Sequence, residues 1–279
     1  MTILIGTTKA IEIANIDEEN NPLVFWENVA ASTGTLSTDI GTEVEAASLS
    51  ATGTTYDPWV CTTSGSGNAA LKLVLSSSQS FNCVALVAHN AGTLGASVRV
   101  QYSTNSGSSW TNAETGTHNP TDDQAILFYF DDVDTDYWRI VINGPGSTDV
   151  EVGVVFWGNV MTLPQRIYQG YTPPIRPTNV MLQSNVSEGG NLLGAAVTKQ
   201  SSSTSAELTH ISPTFIRGTD FTGFMDHFNE GRGFFWAWRP TKYGDVFYAW
   251  RSGNTLVPTN SGPREFMSFG MGMRFYDQP

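Results

Sequence analysis

Phe81-Asn-Cys-Val-Ala-Leu-Val-Ala88 and, shortly after it, Ser97-Val-Arg-Val-Gln-Tyr-Ser103 decide the fold class. The first stretch is apolar on both faces, the pattern of a strand in the middle of a stack of sheets. The second alternates: Val98, Val100 and Tyr102 point one way, Arg99 and Gln101 the other, so one face is core and the other is wet. Asn105-Ser-Gly107 then supplies a turn before Trp110, which makes the second stretch half of a hairpin. Working outward, Ile126–Phe130, Tyr137–Ile142 and Val150–Trp157 continue the series at the spacing of a β-sandwich. From Trp26 to Val160 short apolar runs are separated by Gly, Ser, Thr, Asn and Asp, so a mainly β chain is expected.

The 279 residues exceed one typical domain of about 100 to 200 residues and point to two. Hydrophobic residues at 40% and charged residues at 14% exclude a disordered polyampholyte. No apolar run nears the roughly 20 residues of a bilayer span. Met1-Thr-Ile-Leu-Ile-Gly6 lacks the basic and long apolar regions of a secretory signal, so folding in a cytoplasm is expected. The only cysteines, Cys61 and Cys83, are then expected to be reduced, buried, small apolar residues, the other reading being a bridge formed after release from the cell. With no CxxC or Cys/His cluster beside them they offer no zinc site.

A net charge of -12 argues against general nucleic-acid binding and against sequence-specific binding as well. Its distribution is uneven. Residues 1 to 165 hold four basic side chains, Lys9, Lys72, Arg99 and Arg139, against eighteen acidic ones, whereas residues 166 to 279 hold ten against eight. That asymmetry again suggests two domains in different surroundings.

Pro164, Pro173, Pro174 and Pro177 cannot sustain a strand or helix, so 163–177 is expected to be an extended connector between domains. Beyond it, Val180 to Gln200 predicts two strands around Ser187-Glu-Gly-Gly190, and Ser205 to Ile211 another. Phe221, Phe224, Met225 and Phe228 then fall at i, i+3, i+4 and i+7, the apolar stripe of a helix over about 220–230. Thr219 or Asp220 is expected to cap its start and Gly231 to end it. Three aromatic-rich strands follow, Phe234-Phe-Trp-Ala-Trp-Arg239, Val246–Trp250 and Phe266–Tyr276. The plan is therefore a sandwich over 1–162 with an N-terminal arm 1–25, the connector 163–177, and a β domain with one amphipathic helix over 178–279.

Catalytic signatures are missing. His89, His118, His210 and His227 have no metal-ligand partner at the required spacing, and HExxH, GxSxG, P-loop and GxGxxG motifs do not occur. The chain is not expected to be an enzyme or to hold a cofactor. Asp132, Asp134 and Asp136 could turn alternate carboxylates toward calcium, but the Gly and Glu that an EF-hand needs are misplaced. A solvated acidic loop before the Tyr137 strand is the preferred reading. The aromatics and arginines of the last third are read as packing, inside the domain or between subunits, in preference to a sugar-stacking platform. The interface candidates are Arg232, Trp236, Trp238, Arg239, Trp250, Arg251 and Arg264.

Two resemblances build on these residues. Cys83-Val-Ala-Leu-Val-Ala-His-Asn-Ala-Gly92, the hairpin Val98 to Trp110, Tyr137-Trp-Arg-Ile-Val-Ile142 and Val150–Trp157 resemble, in that order, a discoidin-type jelly roll. The early hairpin, amphipathic helix, Phe-Phe-Trp-Ala-Trp-Arg-Pro240 and Asn260-Ser-Gly-Pro-Arg-Glu-Phe-Met-Ser268 resemble the tail-tube-like ring domain of phage tail-tip proteins. Together they resemble distal tail or baseplate proteins of siphophages. The resemblance implies a structural virion protein at the tail tip, made in the host cytoplasm, forming a homo-oligomeric ring, a hexamer in preference to a trimer. It implies a tail tube protein and a baseplate hub protein as neighbours. The alternative is a carbohydrate-binding module used in adsorption to a host-surface glycan, with Tyr56, Trp59, His89 and Asn90 as candidate contacts in the loops Ala51–Trp59, His89–Gly95 and Thr115–Asp123.

Overall fold

The computed structural model describes residues 1–113, 116–167, 170–261 and 265–276, the side chains of 198–200 excepted. The fold is mainly β. In chain order its elements are β1 (Thr2–Ile5), α1 (Thr7–Asn15), β2 (Leu23–Phe25), α2 (Val29–Ser32), β3 (Gly34–Ile40) and β4 (Thr42–Glu45). After one 3-10 turn at Ala47–Ala51 come β5 (Trp59–Thr62), β6 (Asn68–His89), β7 (Ser97–Ser103), β8 (Thr111–Asn112), β9 (Ile126–Asn143), β10 (Asp149–Gly158) and β11 (Met161–Thr162). Then follow β12 (Asn179–Val186), β13 (Leu192–Ile211), α3 (Pro213–Ile216) and α4 (Thr219–Asn229). The last elements are β14 (Phe234–Ala237), β15 (Phe247–Arg251), β16 (Thr259–Asn260) and β17 (Met267–Phe275). The described chain divides into two compact units, Met1–Arg166 with Gly233–Tyr248, and Ile167–Arg232 with 249–276.

The first unit is a β-sandwich made by two long strands that each serve both layers. The first half of β6 lies between β3 and the second half of β9, with Leu73 opposite Leu36 and Trp138. Its second half lies between β10 and the first half of β9, with Val84 opposite Trp157 and Phe128. Register shifts between Val74 and Gln79 and between Phe81 and Cys83 mark where both strands bend from one layer to the other. The core between the layers takes alternate residues from each, among them Leu71, Leu73, Val84, Leu86, Trp138, Ile140, Trp157 and Trp59. The hairpin read from Val98 and Trp110 is β7 and β8, and Ser106 and Gly107 take the positive φ its turn requires. Cys61 and Cys83 are buried free thiols; burial, helped by Glu43 and Asp149, pushes Cys61 up to about 11.

Three sequence expectations change here. Asp131 to Asp136 is not a loop: Ile126–Phe130 and Tyr137–Ile142 belong to one continuous strand, β9, held through the acidic stretch by pairs such as Ser80 with Asp134. The segment 1–25 is not an arm, since β1 pairs in parallel with β9 and β2 pairs with β14. Through that second pairing Gly233–Tyr248, expected in the C-terminal domain, joins the first unit. Phe156 packs edge-on against Phe25 and Phe235 at 5.8 and 5.3 Å, and Tyr248 lies 5.1 Å from Phe235. The Tyr248 hydroxyl donates to the Gly53 carbonyl at 2.6 Å. Burial raises the Tyr248 pKa.

In the second unit β13 pairs with β12 and with β17, and β17 pairs with the Ala249–Arg251 end of β15. Ser205–Ile211 is the continuation of β13, not a separate strand. Helix α4 lays Phe221, Phe224 and Phe228 into the core, with Phe221 4.8 Å from Phe269 of β17. Its N-cap is Gly218, one residue before the expected caps, because Thr219 already has helical geometry and Asp220 sits in the first turn, where a carboxylate suits the helix dipole. Gly231 ends the helix with φ 76°, its N–H donating to Phe228 and that of Arg232 to His227, a Schellman arrangement.

Candidate assembly surface

The two strands predicted between Val180 and Gln200 carry an uncovered apolar face in the second unit. Strands β12 and β13 pair from Asn179 with Ser201 to Val186 with Leu192, and the pairing of β13 with β17 begins at Ser202. Between those limits the hairpin is a two-stranded ribbon, with no third strand among the described residues. Eight residues of strand at about 3.3 Å each make it about 26 Å long. Alternation puts Val180, Leu182 and Val186 on one face of β12, and pairing sets Val197 and Leu192 of β13 opposite Leu182 and Val186 on that same face. Leu192 is 68%, Leu193 70% and Leu182 62% exposed. A lone ribbon is marginal in water, so an apolar face of this kind is stable where something covers it. Burying one such Leu or Val side chain stabilises a complex by about 1.5–3 kcal/mol. The signal was present in the strand pattern, but alternation marks which residues seek cover without saying whether the chain supplies it.

The predicted interface residues do not form one patch. Trp236 is fully buried in the first unit, in β14 beside Val24, and is closed to any partner. Trp238 and Arg239 are half-buried in the same unit, Trp238 stacked on Tyr243 at 5.1 Å and the Arg239 guanidinium 5.0 Å from the Trp238 ring. Trp250 and Arg251 belong to the second unit, half-buried on β15 opposite Arg274 and Met273. Arg232 is exposed and pairs with Glu230 at 2.7 Å. Arg264 lies outside the described residues.

The predicted glycan contacts are likewise dispersed by burial. Trp59 is fully buried, its indole N–H donating to Thr38 Oγ1 at 2.9 Å, and so cannot stack on a sugar. His89 is buried as well: the Ala91 N–H donates to Nδ1 at 3.2 Å, which leaves the proton on Nε2 to donate to the Gln124 carbonyl at 2.8 Å. Burial pushes His89 down to about 4 against the opposing pull of the Gln124 carbonyl, Asp123 and Asp122. Asn90 bonds the backbone of β10 through both ends of its amide, giving to Asp149 and accepting from Glu151, each at 3.0 Å. Tyr56 alone is open, at 88% exposure. Asp132, Asp134 and Asp136 lie along β9, with Asp132 accepting from Asn82 at 3.0 Å, and no three metal-ligating groups converge among the described residues. No helix among them is long and apolar enough to cross a membrane.

No family model and no curated protein matches the chain. Solved structures do. The chitosan-binding module 1 of a chitosanase/glucanase from Paenibacillus sp. IK-5 is 22% identical over 47% of this chain and 98% of its own, with a TM-score of 0.38. A CBM32 module of GH89 from Clostridium perfringens, in complex with GalNAc-β-1,3-galactose, is 8% identical over 47% of this chain and 99% of its own, with a TM-score of 0.40. A GH29 fucosidase from Ruminococcus gnavus is 12% identical over 50% of this chain and 28% of its own, with a TM-score of 0.41. At these values the likeness concerns fold alone.

Proposed function

We propose that this chain is an architectural protein of a phage tail tip, whose second unit assembles with copies of itself into a ring and whose first unit is a discoidin-like sandwich carried on it. The observation behind this reading is the hairpin of β12 and β13, which leaves Leu182, Leu192 and Leu193 in water. In a closed ring each copy offers one surface and receives its complement, so an uncovered face on every subunit finds cover on the next. The tail tube and hub proteins enter as neighbours through the sequence resemblance alone. Mass measurement of the purified chain and of the Leu182→Asp/Leu193→Asp double variant tests the assembly. The wild type is expected to form a closed oligomer, a hexamer before a trimer, and the variant a folded monomer. A map of the native particle in which this unit touches no sibling chain would overturn the reading.

A second reading, glycan binding by the sandwich during adsorption, is supported by Tyr56, an aromatic ring held 88% open in the loop before β5. Titrating the full chain and its Tyr56→Ala variant with host polysaccharide tests it. Saturable binding that the variant loses supports the reading, and no binding by the wild type removes it.

A further inference from the structure

Three of the four basic residues in the acidic stretch 1–165 come together on one face of one sheet. Lys72 of β6 and Arg139 of β9 are direct cross-strand partners, Gln101 of β7 is the next partner of Arg139, and Arg99 stands two residues from Gln101 on the same side of β7. All face away from the core, because Leu71, Leu73, Val98, Val100, Trp138 and Ile140 take the inward positions. Asp39 of β3 meets Lys72 at 2.9 Å and Arg139 at 2.8 Å; burial raises its pKa, but these two partners outweigh it and hold the carboxyl below its usual range. Arg139 also donates to Gln101 at 2.9 Å, which holds Asn112 at 2.8 Å. Asp39 thus neutralises one charge of three. Among the described residues Arg99 has no ion pair, and its buried Nε has no hydrogen-bond partner.

Trp110 lies over this ladder, its ring centroid 4.1 Å from the Arg139 guanidinium. One face of the indole therefore covers the arginine, and the residue remains half-exposed. A flat aromatic ring backed by a cation, beside a second cation that no carboxylate occupies among the described residues, suits a ligand with an apolar sugar face and an anionic group.

We infer that this face binds an acidic polysaccharide, one sugar ring resting on Trp110 and a neighbouring carboxylate received by Arg99. The inference rests on the sugar-binding reading of the sandwich but moves the site from the Tyr56 loop to the sheet. A nucleic acid is the poorer fit. Duplex DNA carries one charge per about 1.7 Å, which calls for a long array of cations, whereas this island is small and lies in a strongly acidic stretch.

Calorimetric titration of the full chain with galacturonate oligomers, dextran oligomers and single-stranded DNA tests the assignment. Galacturonate is expected to bind saturably and more weakly as salt rises, and dextran more weakly than galacturonate. Trp110→Ala and Arg99→Gln are each expected to weaken galacturonate binding about tenfold or more. Arg99→Gln breaks no contact the structure records, so its melting temperature should match the wild type even if Trp110→Ala loosens the hairpin. Absence of galacturonate binding, or binding that both variants keep, overturns the inference. Binding lost only on Tyr56→Ala overturns it while leaving the sugar reading intact, and DNA binding without galacturonate binding assigns the face to polyphosphate instead.

Discussion

Strands β10 and β12 read alike in sequence, short and rich in Val, Met, Leu or Phe, yet their fates are opposite. In β10 every residue except Asp149 and Glu151 is buried, while in β12 all eight are exposed. The difference lies in what surrounds them. β10 has β5 on one side, β6 on the other and the second layer of the sandwich beneath. β12 has β13 and nothing else among the described residues. Hydrophobic periodicity measures a strand's need for cover, and cover depends on a third and fourth element that the strand does not encode. Where the chain supplies them, the result is a core. Where it does not, the apolar face stays in water.

That contrast can be broken or sharpened by experiment. The largest effect belongs to the sandwich core: Trp138, fully buried and within 5.8 Å of Phe81, Phe130 and Tyr102, is expected to cost about 3–5 kcal/mol on replacement by alanine, read as a drop in the urea midpoint. Acid comes next. His89 is held neutral with a pKa of about 4 against an ordinary 6.5, so the unfolded chain takes up its proton first as pH falls. Its contribution is therefore intact above pH 6.5 and lost on the way down to pH 4, by about 3 kcal/mol in all. Urea midpoints across that range should slope for the wild type and flatten for His89→Gln, and parallel slopes would show that other groups govern the acid response. Tyr248→Phe removes the bond to Gly53 from a buried ring cluster and is expected to cost about 1–2 kcal/mol in thermal unfolding. The smallest change in stability belongs to the hairpin. Leu182→Asp/Leu193→Asp should leave the isolated chain within about 0.5 kcal/mol of the wild type by urea titration, while abolishing the proposed oligomer. If that double variant instead unfolds, the hairpin is covered within its own chain and the contrast with β10 disappears.

Much of the sandwich was legible because its strands carry their evidence locally. The alternation of Val98, Val100 and Tyr102, the turn at Asn105 to Gly107 and the two-sided run from Phe81 each named an element that the fold contains. Helix α4 was legible for the same reason, four large apolar groups at helical spacing and a glycine at its end. The acidic run in β9 was misread because solvated aspartates look the same on the wet edge of a strand as in a loop, and only the pairing with β6 distinguishes them. The candidate site fared worse. Trp59, His89 and Trp236 have the chemistry of binding residues but are buried, whereas Trp110 was read only as the end of a hairpin.

Residue order sufficed for elements such as β7, β10 and α4, since periods of two and of 3.6, turn residues and prolines act over a few neighbours. It also set the charge imbalance, which is a matter of counting. Which strands meet was decided in three dimensions: β2 with β14, the two halves of β6 with different partners, and Lys72, Arg99 and Arg139 on a single face. Those contacts join positions far apart in the chain, and a buried tryptophan and a half-exposed one differ only in the neighbours such contacts bring.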